Sequence, residues 1–437
     1  MSGGVEAPGG GVKALPRLWG LPVLLWGQGA DRLAGWLAPA LAFAVPVSVS
    51  ADAVFLGAIL LLVLLGGGWR EKLDRLLGNP PALAALAVFL ALLVGLSWSE
   101  APWMARLSYL GRYSDLGAIA LLLPVFADAE VRRRTLLAFL AAMLLTALLS
   151  FALRFGWISG GGIWHGGPDS PTPFRSSIAQ GLMMAYAAFV AVELAGDRQS
   201  GLGRWSLWLF AAVALFDLLF LVPGRTGYVV AGVLAVYGGM LRFGRRGAAI
   251  AALGAAILFG VAYLLSPTFH TRLEQAVVEA EQASPDAPAE TSVGLRLEYW
   301  RHTATLIAQA PLLGHGTGSF ASAYARLVEG TAMEASRNPH NDLLHLTAQL
   351  GLIGAALLLV LYVVTWRWAA RLPSPADRAM ARGLVLTFAA GGLFNTLLMD
   401  HTEGRVFMLF AALLFAALPP RRGWRAAVES AAPGAVP

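Results

Sequence analysis

Leu343 to Val364 reads LLHLTAQLGLIGAALLLVLYVV, and the nine residues Arg337-Asn338-Pro339-His340-Asn341-Asp342-Leu343-Leu344-His345 lead into it. The run is apolar over the ~20 residues that a helix needs to cross the hydrocarbon core of a bilayer. Its start carries helix-opening residues. Asn338 reads as the N-cap and Pro339 as the first helical residue, since proline has no N–H to lose there and its φ suits the turn. His340 then falls in the first turn, where the helix dipole disfavours the imidazolium and favours the neutral ring that a general base requires. A proton acceptor is thus expected at the mouth of a membrane helix.

Composition extends this reading to the whole chain. Of its 437 residues 57% are hydrophobic and 13% charged, and the mean hydropathy is +0.65. Soluble domains carry about 25% charged residues, so the expected class is an all-α polytopic membrane protein. The net charge of +6 then reports topology rather than nucleic-acid binding. Cysteine is absent, which excludes disulfides and thiolate metal sites. No cleavable signal peptide is expected, because the Gly-rich start leads into apolar segments without a small-residue cleavage site.

About twelve apolar segments of near-spanning length follow one another, those at 108–127 and 383–399 among them. The expected organisation is a cytoplasmic N-terminal arm at 1–32, nine transmembrane helices within 33–266, a periplasmic helical loop at 267–341, three more helices within 342–418 and a cytoplasmic tail at 419–437. Placing the N-terminus inside puts roughly two thirds of the Lys and Arg residues in the inner segments, as the positive-inside rule requires. Both chain ends are then cytoplasmic, and the excursion at 267–341 lies outside.

The arginines that break the rule carry more information. They are Arg106, Arg112, Arg154, Arg175, Arg225, Arg272, Arg296, Arg301, Arg326, Arg337 and Arg405. Some can snorkel to headgroups or pair with Glu100, Asp169 or Glu403. Arg225, in the turn of LVPGRTGYVV, has almost no loop to carry it into water, and charge at that level reads by default as functional. Several guanidinium groups converging on one outer face would suit a polyanion, because the planar fork matches phosphate.

Within the excursion, TFHTRLEQAVVEAEQA and TSVGLRLEYWRHTATLIAQA have helical patterns. SPDAPAE between them is a Pro-rich break expected to be mobile. Arg296 and Trp300 are four apart and share a helix face. PLLGHGTGSF is a Gly-rich turn without the Lys-Ser/Thr ending of a P-loop, and GSFASAYARLVEG is a further short helix.

RLEYWRHTATLIAQAPLLGHGTGSF, followed by NPHNDLLHLTAQLGLIG, resembles the signature region of the O-antigen ligase and O-antigen polymerase superfamily, which also contains bacterial protein O-oligosaccharyltransferases. The specific part covers residues 294 to 354. The resemblance implies a C-type glycosyltransferase architecture of about twelve transmembrane helices, with an active site facing the periplasm across the bacterial inner membrane. It also implies a metal-independent enzyme of lipopolysaccharide biosynthesis, without a cofactor. The donor it implies is an undecaprenyl-diphosphate-linked glycan; the ligase acceptor is a sugar hydroxyl of lipid A-core. Carried over by position, the histidine of the HN motif falls on His340, the loop arginine before the YW pair on Arg296, and the arginine at the outer end of a mid-chain span on Arg225. The residue before Arg225 is Gly224, whereas many relatives have serine there. Arg175, in TPFRSSIAQG, resembles a further position.

The chemistry is consistent with these assignments. Glycan transfer from a lipid diphosphate needs a base for the acceptor hydroxyl, for which His340 is the candidate. It also needs fixed positive charge where the leaving group gains negative charge, the role expected of Arg225 and Arg296. Arg154, Arg175, Arg301, Arg337, Trp300 and Asn341 are the further candidates for substrate binding. His345 stands about 140° round the helix from His340, at 3.6 residues per turn, so the two are poor partners for one metal ion. The expected activity is O-antigen ligase, with membrane lipids as surroundings and no nucleic-acid partner. Polymerase and protein O-oligosaccharyltransferase are alternatives of the same chemistry. A lipid-linked-glycan transporter is the alternative from another class, although it should carry more charge through the midplane of its spans.

Overall fold

In the computed structural model, the residues described are 21–161, 165–197, 201–281, 291–331 and 333–421. Most of the expected N-terminal arm, most of the expected tail and the SPDAPAE break lie outside them. Regular structure among these residues is helical: α1 Leu21–Val47, α2 Val49–Leu65, α3 Trp69–Leu77, α4 Pro80–Gly95, α5 Trp103–Arg112, α6 Ser114–Leu122, α7 Ala129–Arg154 and α8 Ser177–Asp197. There follow α9 Leu202–Phe216, continued by a π turn to Leu221, then α10 Arg225–Leu265, α11 Pro267–Glu281, α12 Ser292–Gln309, α13 Phe320–Val328, α14 Asp342–Ala369, α15 Pro375–Gly391 and α16 His401–Phe415.

Length and apolar composition qualify five of the described helices to cross a membrane. These are α7, α8, α9 with its π turn, α10 and α14. A sixth qualifies if α2 and α3, bent by 114° at their junction, act together. The expected twelve spans are thus supported for five or six by this measure, and α4, apolar but only 16 residues long, falls short of the spanning length. Local reasons account for part of the difference. The expected span at 383–399 stops at Gly391 because Gly391-Gly392 and Asn395 open an irregular connection, 392–400, before α16. The segment 108–127 breaks into α5, α6 and a short 3-10 turn.

Two of the long helices fold back on themselves. Inside α10, Phe243 and Gly244 leave helical geometry, Gly244 with φ 61°. Gly239 lies hard against Gly247, and Gly232 packs on Phe259. In a straight helix Gly239 and Gly247 would stand about 12 Å apart along the axis, so 225–242 and 245–265 are antiparallel limbs. Each is about 27–32 Å long at 1.5 Å per residue. The reversal carries Arg242, Arg245 and Arg246, a cluster that favours the membrane–water boundary. The second case is α14, where Gly351 has φ 65° and Gly354 packs on Leu346. Only a residue without Cβ adopts that φ at little cost, and a Cβ here would also run into the Leu312 carbonyl. The helix expected to run straight from His340 across the bilayer therefore doubles back after its first limb.

Near the middle of the assembly are α8 and α16. Nearly every side chain of α16 from Thr402 to Phe415 is buried, and 83% of the best apolar window of α8 is buried. Gly181 and Gly227 let α8 and α10 approach closely, since a Cβ on Gly227 would stand 2.9 Å from the Gly181 Cα. Small residues at such crossings provide the close packing that holds helices together in lipid. Apolar side chains that remain exposed, such as Ile250, Leu253 and Leu264 on the second limb of α10, suit a lipid-facing surface.

Candidate functional site

Arg296, Tyr299 and Trp300 stand on one side of α12 by their i, i+3, i+4 spacing. Arg225 opens α10 directly after its N-cap Gly224, where the backbone N–H groups and the positive end of the dipole add to the guanidinium charge. Arg225 and Arg296 line one cavity of about 290 Å³, with Trp300, Thr226 and Phe394 among the other wall residues. Two elements far apart in sequence thus place two cations around one space.

His340 stands beside it. The Trp300 indole Nε1 donates to the Pro339 carbonyl at 3.0 Å. The Tyr299 ring lies 6.1 Å from the His340 imidazole at 25°. Three successive carbonyls are pinned by side chains: Arg337 accepts from the Tyr109 hydroxyl at 2.6 Å, Asn338 from the Ser336 hydroxyl at 2.7 Å, and Pro339 from Trp300. That leaves the histidine on a backbone with little freedom. It is half-buried, and its pKa lies below the ordinary histidine value, first through burial and then through the positive charge of Arg296.

The start of α14 differs from the sequence expectation. Asn341 is the N-cap, its side-chain oxygen accepting from the Leu344 N–H at 3.0 Å, and the helix begins at Asp342. The Asn338 side chain is spent on the N–H of His340 at 2.9 Å. His340 is therefore outside the helix, in the left-handed region with φ 52°. Burial and Arg296, rather than a place in the first turn, favour its neutral form.

The connection 392–400, which sequence reasoning assigned to a span, closes the site. Asn341 Nδ2 donates to the Leu393 carbonyl at 2.9 Å, the Asp342 N–H to the Gly392 carbonyl at 2.8 Å, and Asn395 Nδ2 to Thr226 Oγ1 at 2.8 Å. One segment thus braces the His340 side and the Arg225 side together. Its Asn and paired Gly are turn-forming residues, the one signal that could have separated it from a helix. Tyr299, Thr226, Phe394 and Asn395 were likewise not singled out.

The remaining candidates are placed differently. Asn341 uses both atoms of its amide inside the protein, as the cap and as the Leu393 contact. Arg175 is buried and bound to Asp52 Oδ2 at 3.0 Å and to the Val45 carbonyl through Nε at 3.1 Å. Arg405, with Nε 2.9 Å from Asp115 Oδ1 and Nη1 3.7 Å from Asp52 Oδ1, completes that buried group. These contacts explain two of the exceptions to the charge rule by internal pairing. Arg154 donates to the Pro168 carbonyl at 3.1 Å and lies 4.0 Å from Asp169. Arg301 and Arg337 are exposed. His345 is fully buried between the Tyr113 hydroxyl at 3.1 Å and Gln349 at 3.3 Å.

Residues 210–359 match the family model described as O-antigen ligase. The matched stretch includes Arg225, Arg296, Trp300 and His340. No curated protein matches the chain. Together with several apolar helices of spanning length, the match supports a multi-pass membrane protein with a glycosyltransferase-like activity on lipid-linked glycans. That match, over residues 210–359, supports membership of the O-antigen ligase/polymerase superfamily.

Proposed function

We propose that the protein is an O-antigen ligase of the bacterial inner membrane. It transfers a glycan from undecaprenyl diphosphate to a sugar hydroxyl of lipid A-core, without a metal ion. The observation that carries this reading is the shared cavity of Arg225 and Arg296 with His340 beside Arg296. In the proposed reaction, neutral His340 takes the proton of the acceptor hydroxyl as that oxygen bonds to the anomeric carbon. The bond from this carbon to the diphosphate oxygen breaks, and the diphosphate leaves with the electron pair. Arg225 and Arg296 face the charge that develops on it. A single displacement inverts the anomeric centre. In this reading about twelve spans cross the membrane, with both ends cytoplasmic and 267–341 as the periplasmic loop that brings α12 and His340 to the site.

The test is reconstitution with lipid-linked glycan and three alternative acceptors. Transfer to lipid A-core alone is the expected result. Transfer to a second lipid-linked glycan would assign the polymerase activity, transfer to a peptide hydroxyl the protein-glycosylating one, and movement of the glycan lipid without transfer a transporter.

The same reaction reports the state of His340. A base works when unprotonated, and a lowered pKa keeps the ring unprotonated into mildly acidic solution. We expect kcat/KM to hold constant down to about pH 6.5, the ordinary histidine value, and to fall only below it. Arg296→Gln removes the charge that helps lower the pKa, so the acidic limb of its residual activity should move to higher pH. An unmoved limb in that variant would count against His340 as the titrating group.

A further inference from the structure

A second cavity, of about 520 Å³, opens between the two limbs of α10 and the start of α11. Four aromatic residues, Tyr228, Phe259, Tyr263 and Phe269, contribute to its wall, together with Arg225 and Arg272. The rings are in contact: Tyr228 and Phe269 have centroids 4.6 Å apart, and Phe259 and Phe269 5.9 Å. The hydroxyls on this wall are already used. Tyr228 donates to the Val222 carbonyl at 2.8 Å and Tyr263 to Glu274 at 3.3 Å. What the cavity offers a ligand is therefore hydrocarbon contact plus two guanidinium groups.

Arg225 and Val229 belong to the walls of both cavities. Arg225 shares the smaller cavity with Arg296 and Trp300, and the larger one with the aromatic wall and Arg272. A neutral lipid would match the aromatic wall but not its positive charge, whereas a free phosphate would match the charge and leave the aromatic space empty. An amphiphile with an anionic head satisfies both.

We propose that this aromatic cavity receives the hydrocarbon nearest the diphosphate of the lipid donor, whose head lies between Arg225 and Arg296, and that Arg272 positions the head from the lipid side. The proposal rests on the reading of Arg225 and Arg296 as a diphosphate site and adds to it the place of the chain. It divides the donor between two compartments that meet at Arg225.

Binding to the full chain in nanodiscs tests this, with empty discs as the blank and three probes: farnesyl diphosphate, inorganic pyrophosphate and farnesol. A Cβ at Gly260 meets nothing within 4 Å, and Gly260 lines the cavity, so Gly260→Leu should fill space without displacing backbone. Gly260→Ala is the conservative control, and melting temperatures verify that both variants fold. Wild type should bind farnesyl diphosphate more tightly than pyrophosphate, and farnesol least. Gly260→Leu should weaken farnesyl diphosphate by about tenfold or more, the scale of a lost hydrocarbon contact in a pocket, and leave pyrophosphate unchanged. Arg272→Gln should weaken farnesyl diphosphate as well. Equal affinity of wild type for farnesyl diphosphate and pyrophosphate, or an equal effect of Gly260→Leu on both, would overturn the chain site while leaving the head site standing. Absence of pyrophosphate and farnesyl diphosphate binding to wild type would overturn both.

Discussion

His340→Ala should lose glycan transfer by a factor of about 10²–10⁴, the usual contribution of a positioned general base, while the protein still purifies as a folded membrane protein. The loss should appear in kcat, because the imidazole is proposed to act on the acceptor proton rather than to hold the donor. Folding should survive because the contacts that pin this turn use main-chain atoms or other side chains: the carbonyls of residues 337 to 339, the amide of Asn341 and the N–H of Asp342. Steady-state rates at saturating donor and acceptor, beside a thermal melt of the same sample, decide the matter. Undiminished turnover by a folded His340→Ala protein would remove the histidine from the reaction.

The second large effect is expected at the arginines. Arg225→Ala and Arg296→Ala should each reduce kcat/KM by about 10²–10³, the range found when one donor to a developing negative charge is removed. The double variant should fall well short of the product, because two groups on one leaving group do not act independently. Arg225→Lys should recover only part of the loss, since an ammonium ion lacks the planar two-point contact with phosphate. Arg175 provides the contrast. It pairs with buried Asp52, so Arg175→Ala should reduce the amount of folded protein, leaving the folded fraction near wild-type turnover. Matching kinetic losses at 175 and 225 would indicate that the two arginines are not separated in the way their surroundings suggest.

Much of the architecture is legible along the chain because it depends on local pattern. Apolar runs mark the long helices, and the helices at 267–281, 292–309 and 320–328 follow from periodicity. The arginines that defy the charge rule draw attention to 225 and 296, which meet in one cavity. What escapes depends on partners remote in sequence or on a single backbone angle. Arg175 looks like Arg225 until Asp52, 123 residues away, is brought against it. The fold-back of α14 hangs on one glycine inside an apolar run, and hydropathy is blind to φ. The N-cap is misplaced by three residues because Asn338 and Asn341 are both competent, and the choice between them is made by Leu393 and the other groups that each can reach.

The φ of 52° at His340 has a cost of its own. A side chain in that region is disfavoured by roughly 1–2 kcal/mol, from which glycine is exempt, so the gentlest occupant of position 340 for folding alone would have no imidazole. At this one residue the chain forgoes conformational comfort for a functional group, and whatever selects the histidine must act on something other than the ease of making the turn.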